Sequence, residues 1–158
     1  HVARALGAGV LLDLENHHNF AWRERHLLPD GSERDVILHR KGATPAGQGV
    51  LGIIPGSMAA PGYVVRGKGD PASLRSASHG AGRRMSRTRA KQECTWADVT
   101  RLLKQCGVTL LSAGLDEAPM AYKDIDTVMA AQATLVEIIA RFAPRLVKMA
   151  PAGEIPED

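Results

Sequence analysis

The sequence predicts one α+β domain in which short antiparallel strands are combined with two or three helices. Three observations lead there. The chain has 158 residues, enough to bury a core in one domain. Residues 22–41 place two short runs around a Pro-Asp-Gly-Ser turn, the pattern of a hairpin. Two later segments, beginning at Thr95 and Thr127, carry a helix-start signal and a helical apolar stripe. The formal charge is only +3, from 20 Lys and Arg against 17 Asp and Glu. A local phosphate-binding patch is compatible with that balance, and a general nucleic-acid coat is not. The two cysteines, Cys94 and Cys106, are too few for a zinc motif or a secreted disulfide framework. Reduced thiols and a cytoplasmic location are the expectation. No apolar run has the length of a membrane span and no signal peptide is visible.

The elements follow in order. Residues 1–15 are apolar enough for a core element, with Gly7 and Gly9 leaving helix and strand both open. The chain starts at His1 inside this stretch, which reads as the middle of something, so a fragment or separated half is expected. The hairpin pairs 23–28 with 34–39 and delivers His39, Arg40 and Lys41 to a Gly42 exit. A short buried strand over 50–54 ends at Pro55-Gly56, and another covers 63–66. Thr95, with Asp98 three residues on, starts a helix that runs to about Gln105 and stops at Gly107. Residues 108–111 read as a buried strand and 116–126 as a polar loop. From Thr127 onward, Val128, Ala131, Leu135, Ile138, Ile139 and Phe142 share one helical face and read as core. Ala143-Pro144 ends that helix. A last short strand covers 146–148, the domain closes at 150, and 151–158 reads as a disordered tail.

Chemistry concentrates in residues 78–91, SHGAGRRMSRTRAK. His79 sits among Gly80, Ala81 and Gly82, and Arg83, Arg84, Arg87, Arg89 and Lys91 follow with no acid between. Small residues let a phosphate approach backbone N–H groups, and guanidinium groups clamp phosphate oxygens in pairs. A histidine at the mouth of such a loop serves as nucleophile, general acid or base, or metal ligand. The plainer reading is a glycine-rich turn with one solvated histidine and a basic helix face. Asn16-His17-His18-Asn19 offers histidines that are either metal ligands or hydrogen-bonded surface groups. Pro55-Gly56-Ser57-Met58 is either a strand-ending turn or a loop that presents N–H groups and a hydroxyl to a ligand.

Five motifs stand in order: NHHNF at 16–20, HRKGAT at 39–44, PGSM at 55–58, SHGAG at 78–82, and DEAP at 116–119 with AYKD at 121–124. This ordered set resembles the C-terminal half of RtcB, the family of GTP- and manganese-dependent RNA ligases that act in tRNA splicing and RNA repair. The resemblance runs over residues 13–148. It implies a mixed layered fold and a catalytic His79 that takes GMP from GTP. It implies nucleotide contacts from Asn19, Pro55, Gly56, Ser57, Met58, Gly80, Ala81, Gly82, Tyr122 and Lys148. His18 is implied as a ligand to one of two manganese ions, and the HRKGAT motif as an RNA or phosphate contact. The implied partners are GTP, RNA with a 3′-phosphate or 2′,3′-cyclic phosphate and a 5′-hydroxyl end, and the missing N-terminal half.

The family's other metal ligands, an Asp, a Cys and two His, belong to that N-terminal half. Cys94 and Cys106 follow the nucleophile and do not match the family's cysteine. One ligand is far below a working coordination shell, so the chain alone is expected to be incomplete as an enzyme. Two departures stand out. Residues 59–63 read Ala-Ala-Pro-Gly-Tyr where the family has Gly-Thr-x-Ser-Tyr, so Gly62 replaces a nucleotide-contacting serine. That lost hydroxyl is worth about 1 kcal/mol of GTP binding. Met149 follows Lys148 where the family has glycine. The alternative reading is a non-catalytic nucleotide- or RNA-binding fragment of a diverged paralogue. A metal-dependent phosphoesterase would need a ligand cluster that the sequence does not offer.

Overall fold

The computed structural model describes residues 2–28 and 30–151. It is an α+β arrangement, as expected, built on a hairpin, three further strand groups and short helices. Strands β1 (Asn19–Leu27) and β2 (Glu33–Lys41) pair without interruption from Asn19↔Lys41 to Leu27↔Glu33. The hairpin is therefore longer at its open end than the apolar runs predict. Asp30 closes the turn, its carboxylate accepting from the N–H and hydroxyl of Ser32 at 2.9 and 2.6 Å. Pro29 and residues 152–158, the expected tail, lie outside the described residues.

Arg40 anchors the hairpin. It is 3% exposed and donates to both carboxylate oxygens of Glu24, to Ser76 Oγ and to the carbonyls of Leu74 and Arg75. Leu74 and Arg75 both have φ of 53°, a left-handed conformation costly for side chains of that size. The buried guanidinium, donating to both carbonyls, is the visible compensation. The expectation that this motif contacts RNA fails for Arg40, because burial and five acceptors leave no room for a phosphate.

Strands β4 (Leu51–Ile54), β5 (Gly62–Gly67) and β8 (Val136–Phe142) form an antiparallel sheet in the order β4-β5-β8. β3 (Ala43–Pro45) pairs with β6 (Ser76–Ser78). β7 (Thr109–Ser112) and β9 (Leu146–Lys148) pair in parallel, an exception to the antiparallel expectation. A parallel pair needs a long crossover, which residues 113–145 supply. The strand at 108–111 is only partly the buried element foreseen: Val108 is buried and Leu111 is 60% exposed.

Two expectations are overturned. Residues 1–15 do not form a core element. One helical turn, α1 (Val2–Ala5), is followed by chain without regular structure, with Leu6, Val10, Leu11 and Leu12 exposed. Gly7, at φ 61°, ends the turn, and among the described residues nothing covers the segment. The helix expected over 127–142 is shorter. α4 spans Ile125–Ala131, capped by Asp124, and β8 takes the rest. Val136, Ile138 and Ile139 are β-branched or bulky enough to favour a strand, and the open edge of β5 offers them a backbone partner. Ile138, Ile139 and Phe142 are exposed, so the foreseen core stripe is in large part surface. β8 also explains Gly62. A Cβ there would come within 2.4 Å of Phe142, its cross-strand partner.

Of the remaining helices, the one starting at Thr95 forms as predicted, and the basic run adds another. α2 (Arg87–Glu93) is capped by Ser86, and α3 (Trp96–Gln105) by Thr95, whose hydroxyl accepts from the Asp98 N–H. Two buried clusters result. One joins Ile54, Tyr63, Val65, Ala81, Ile125 and Met129, and the other Met58, Ala90, Val99, Leu103 and Ala121. Tyr122 packs against both.

Candidate functional site

Three loops meet where those clusters adjoin. The first follows β4 at Pro55–Met58, the second follows β6 at His79–Arg83, and the third is residues 115–122, with 3-10 turns Leu115–Glu117 and Pro119–Ala121. The first two are joined where the Ala81 N–H donates to the Pro55 carbonyl at 3.1 Å. The fit is tight at Gly80, where a Cβ would stand 3.2 Å from that carbonyl oxygen. The second and third are joined by Lys123 N–H to Gly82 O at 3.0 Å and Arg84 N–H to Ala121 O at 2.9 Å. Between them lies a cavity of about 500 Å³, within the range of small-molecule sites.

Residues 55–58, 79–83, Arg87 and Tyr122 line the cavity, with Val147 and Met149. The structure thus brings together eight residues singled out from sequence: His79, Pro55, Gly56, Ser57, Met58, Gly80, Ala81, Gly82, and adds Tyr122 as a ninth. His18 is close by, its ring stacked on that of His79 at a centroid distance of 5.0 Å and 11° between planes. The His79 N–H reaches the Gly42 carbonyl at 3.4 Å, and its Nδ1 is buried without a hydrogen-bond partner. Orphaned buried polar atoms are rare. Asn19 and Lys148 stand apart from the lining. Asn19 Oδ1 lies 3.3 Å from His39 Nε2, and Lys148 is exposed between the two lining residues of its strand region, Val147 and Met149.

The basic run differs from its sequence reading. Arg83 donates to Glu117, to the Tyr122 hydroxyl and to the carbonyls of Met85 and Asp116, and its guanidinium lies 5.1 Å from the centre of the Tyr122 ring. Arg87 pairs with Asp116 and Glu117, and Arg89 with Glu93. Tyr122 donates its hydroxyl to Glu117. Burial, and then that carboxylate, push the Tyr122 phenol up to about 12. Burial is the largest single influence on Asp116 and works upward, but the Arg87 bond, a backbone N–H and the charges of Lys91 and Arg87 together hold the carboxyl below its ordinary value. The loop amides are also largely engaged, those of Ser78, His79 and Ala81 having protein acceptors. The cationic groups that face the cavity are therefore side chains, Arg83 and Arg87, and not a nest of free amides.

Two contributors were missed from sequence. Glu117, inside a recognised motif, ties together Arg83, Arg87 and Tyr122. Gln132 is buried and accepts from the Ser78 N–H. Its signal was available: Ile125, Val128, Met129 and Gln132 follow helical spacing, with a polar residue at the buried fourth position. Among the described residues, no group of three or more His, Cys, Asp or Glu is placed to hold a metal ion, and no helix is long and apolar enough to cross a membrane.

Comparison with known proteins agrees with the resemblance. The family model for the tRNA-splicing ligase RtcB matches residues 2–149. The RNA-splicing ligase RtcB of Escherichia coli K12 is 47% identical over 127 residues, covering 80% of this chain and 30% of that protein. The tRNA-splicing ligase RtcB of Nanoarchaeum equitans is 37% identical, covering 89% of this chain and 33% of that protein. The RNA-splicing ligase RtcB of Mycobacterium bovis is 35% identical, over 90% of this chain and 37% of its own length. The chain therefore spans about a third of the length of these curated relatives.

Proposed function

The chain belongs to the RtcB family, and from that premise we propose that it carries the nucleotide-accepting part of a GTP-dependent RNA ligase, with His79 as nucleophile. The observation that carries the reading is the seat of His79, on the wall of a nucleotide-sized cavity formed by the family's own loops.

In this reading an unprotonated nitrogen of the His79 imidazole attacks the α-phosphorus of GTP. A nitrogen–phosphorus bond forms, the bond to the β-phosphate oxygen breaks, and pyrophosphate leaves. The GMP then passes to an RNA 3′-phosphate oxygen and the imidazole is released. A 5′-hydroxyl attacks the activated phosphorus, GMP departs, and a 3′,5′-phosphodiester remains. A 2′,3′-cyclic phosphate is first hydrolysed to the 3′-phosphate. Arg83 and Arg87 are placed to exchange their carboxylate partners for phosphate oxygens, and the Tyr122 ring gives the base an apolar face. The two manganese ions implied by the resemblance do not fit the described residues alone, because His18 is not joined there by further ligands. Their ligands would come from outside this chain.

The test is intact mass of the complete gene product after incubation with GTP and manganese. A GMP adduct on the wild type that is absent from His79→Ala is the expected result. No adduct on the folded wild type would remove the ligase reading and favour a non-catalytic nucleotide- or RNA-binding role.

A further inference from the structure

The buried face of α4 is Ile125, Val128, Met129 and, at its C-cap, Gln132. Three of these are apolar and pack into the core beside Ala81. The fourth is an amide only 5% exposed. A methionine or leucine would fill that space without the cost of desolvating a polar group. What the amide adds is one specific bond: Gln132 Oε1 accepts the Ser78 N–H at 2.9 Å. Its Nε2 reaches only Met129 Sδ, at 3.3 Å. Ser78 in turn closes the loop, its hydroxyl donating to the Gly80 carbonyl at 2.6 Å. The backbone on both sides of His79 is thus fastened through a bond that starts on a different element. The His79 N–H contributes only a long contact, at 3.4 Å to Gly42.

We propose that Gln132 is a positioning residue for His79: it fixes the Ala77–Ser78 peptide, one residue ahead of the histidine, so that the imidazole is held at its place on the cavity wall. The proposal rests on the reading of His79 as nucleophile. Its physical basis is that a reacting atom misplaced by about 1 Å can lose on the order of 100-fold in rate. Gln132 does not line the cavity, so its effect falls on the chemical step and not on nucleotide binding.

The experiment compares Gln132→Met, similar in size but without the acceptor, with Gln132→Glu, which retains one, in the complete gene product. The rate of GMP adduct formation at saturating GTP should fall about 10-fold or more in Gln132→Met. The GTP concentration for half-maximal rate should hold, and Gln132→Glu should recover much of the rate. Amide hydrogen exchange of the peptide spanning 77–82 should accelerate in Gln132→Met while the rest of the chain keeps its protection. An unchanged rate with unchanged exchange overturns the proposal. So does an equal loss in both variants, or exchange that rises throughout the molecule. A wild type that forms no adduct overturns the ligase reading and the catalytic role together, and the exchange result then decides whether Gln132 holds the loop.

Discussion

Arg40 and the Arg83–Arg87 pair look alike in sequence, each a basic group beside a small-residue stretch in a phosphate-binding context. The fold gives them opposite roles. The Arg40 side chain is 2% exposed and has Glu24, Ser76 and two carbonyls around it. The side chains of Arg83 and Arg87 are 23% and 51% exposed, share Glu117, and border the cavity. The difference teaches that a guanidinium's role is set by burial and by how easily its acceptors can be exchanged. Arg40 holds the hairpin to the 74–76 turn. Arg83 and Arg87 are paired with carboxylates at the cavity wall, where their side chains stay partly open to solvent.

The largest expected effect is on stability. Arg40→Ala leaves a carboxylate and strained carbonyls without their donor, and should cost about 3–5 kcal/mol in denaturant unfolding. Arg87→Ala removes a side chain that is 51% exposed, and its carboxylate partners keep Arg83 and Lys91 beside them, so the cost should be smaller, about 1 kcal/mol. Equal losses would break the contrast.

Next comes binding. Arg83→Ala should weaken GTP by about 10-fold or more, the loss of one charge-assisted hydrogen bond, as read by titration calorimetry. Arg87→Ala should do the same to a smaller degree. Unchanged affinity in both would remove the cavity arginines from phosphate recognition.

The pH response sharpens the comparison further. The hydrogen bond from Arg40, working against burial, lowers the Glu24 pKa below its ordinary 4.5. A lowered carboxylate pKa means stability that is complete above the unfolded value and is lost as pH falls through the folded one. Acid unfolding of Glu24→Gln should therefore show a flatter limb below pH 4.5 than the wild type.

The smallest effect is at the cavity. Tyr122 is a proton donor to Glu117 with its phenol pushed up to about 12. Its contribution is present below the free value of 10.0 and disappears as pH rises through about 12. Phenolate absorbance should show a step near 12 in the wild type that is missing in Tyr122→Phe.

Much of this was legible in the sequence because it is local. A Pro-Asp-Gly-Ser turn between short runs specifies a hairpin, and Thr95 accepts from the N–H three residues on, whatever surrounds it. The cavity loops were legible as motifs. Residues 136–142 were not, since a helical spacing of apolar side chains does not reveal an open strand edge at β5. Gln132 carried the signal of a polar residue at a buried helical position, but its meaning depends on which backbone N–H lies opposite its amide.

The sequence by itself determined the hairpin, the helix starts and the family, because these rest on near-neighbour hydrogen bonds and on short ordered motifs. Only the tertiary structure decided that Arg40 is buried while Arg83 borders a cavity, that β8 joins β5, and that loops at 55–58, 79–83 and 115–122 converge. The physical reason is that burial and long-range pairing belong to residues far apart in the chain, and no single segment carries them.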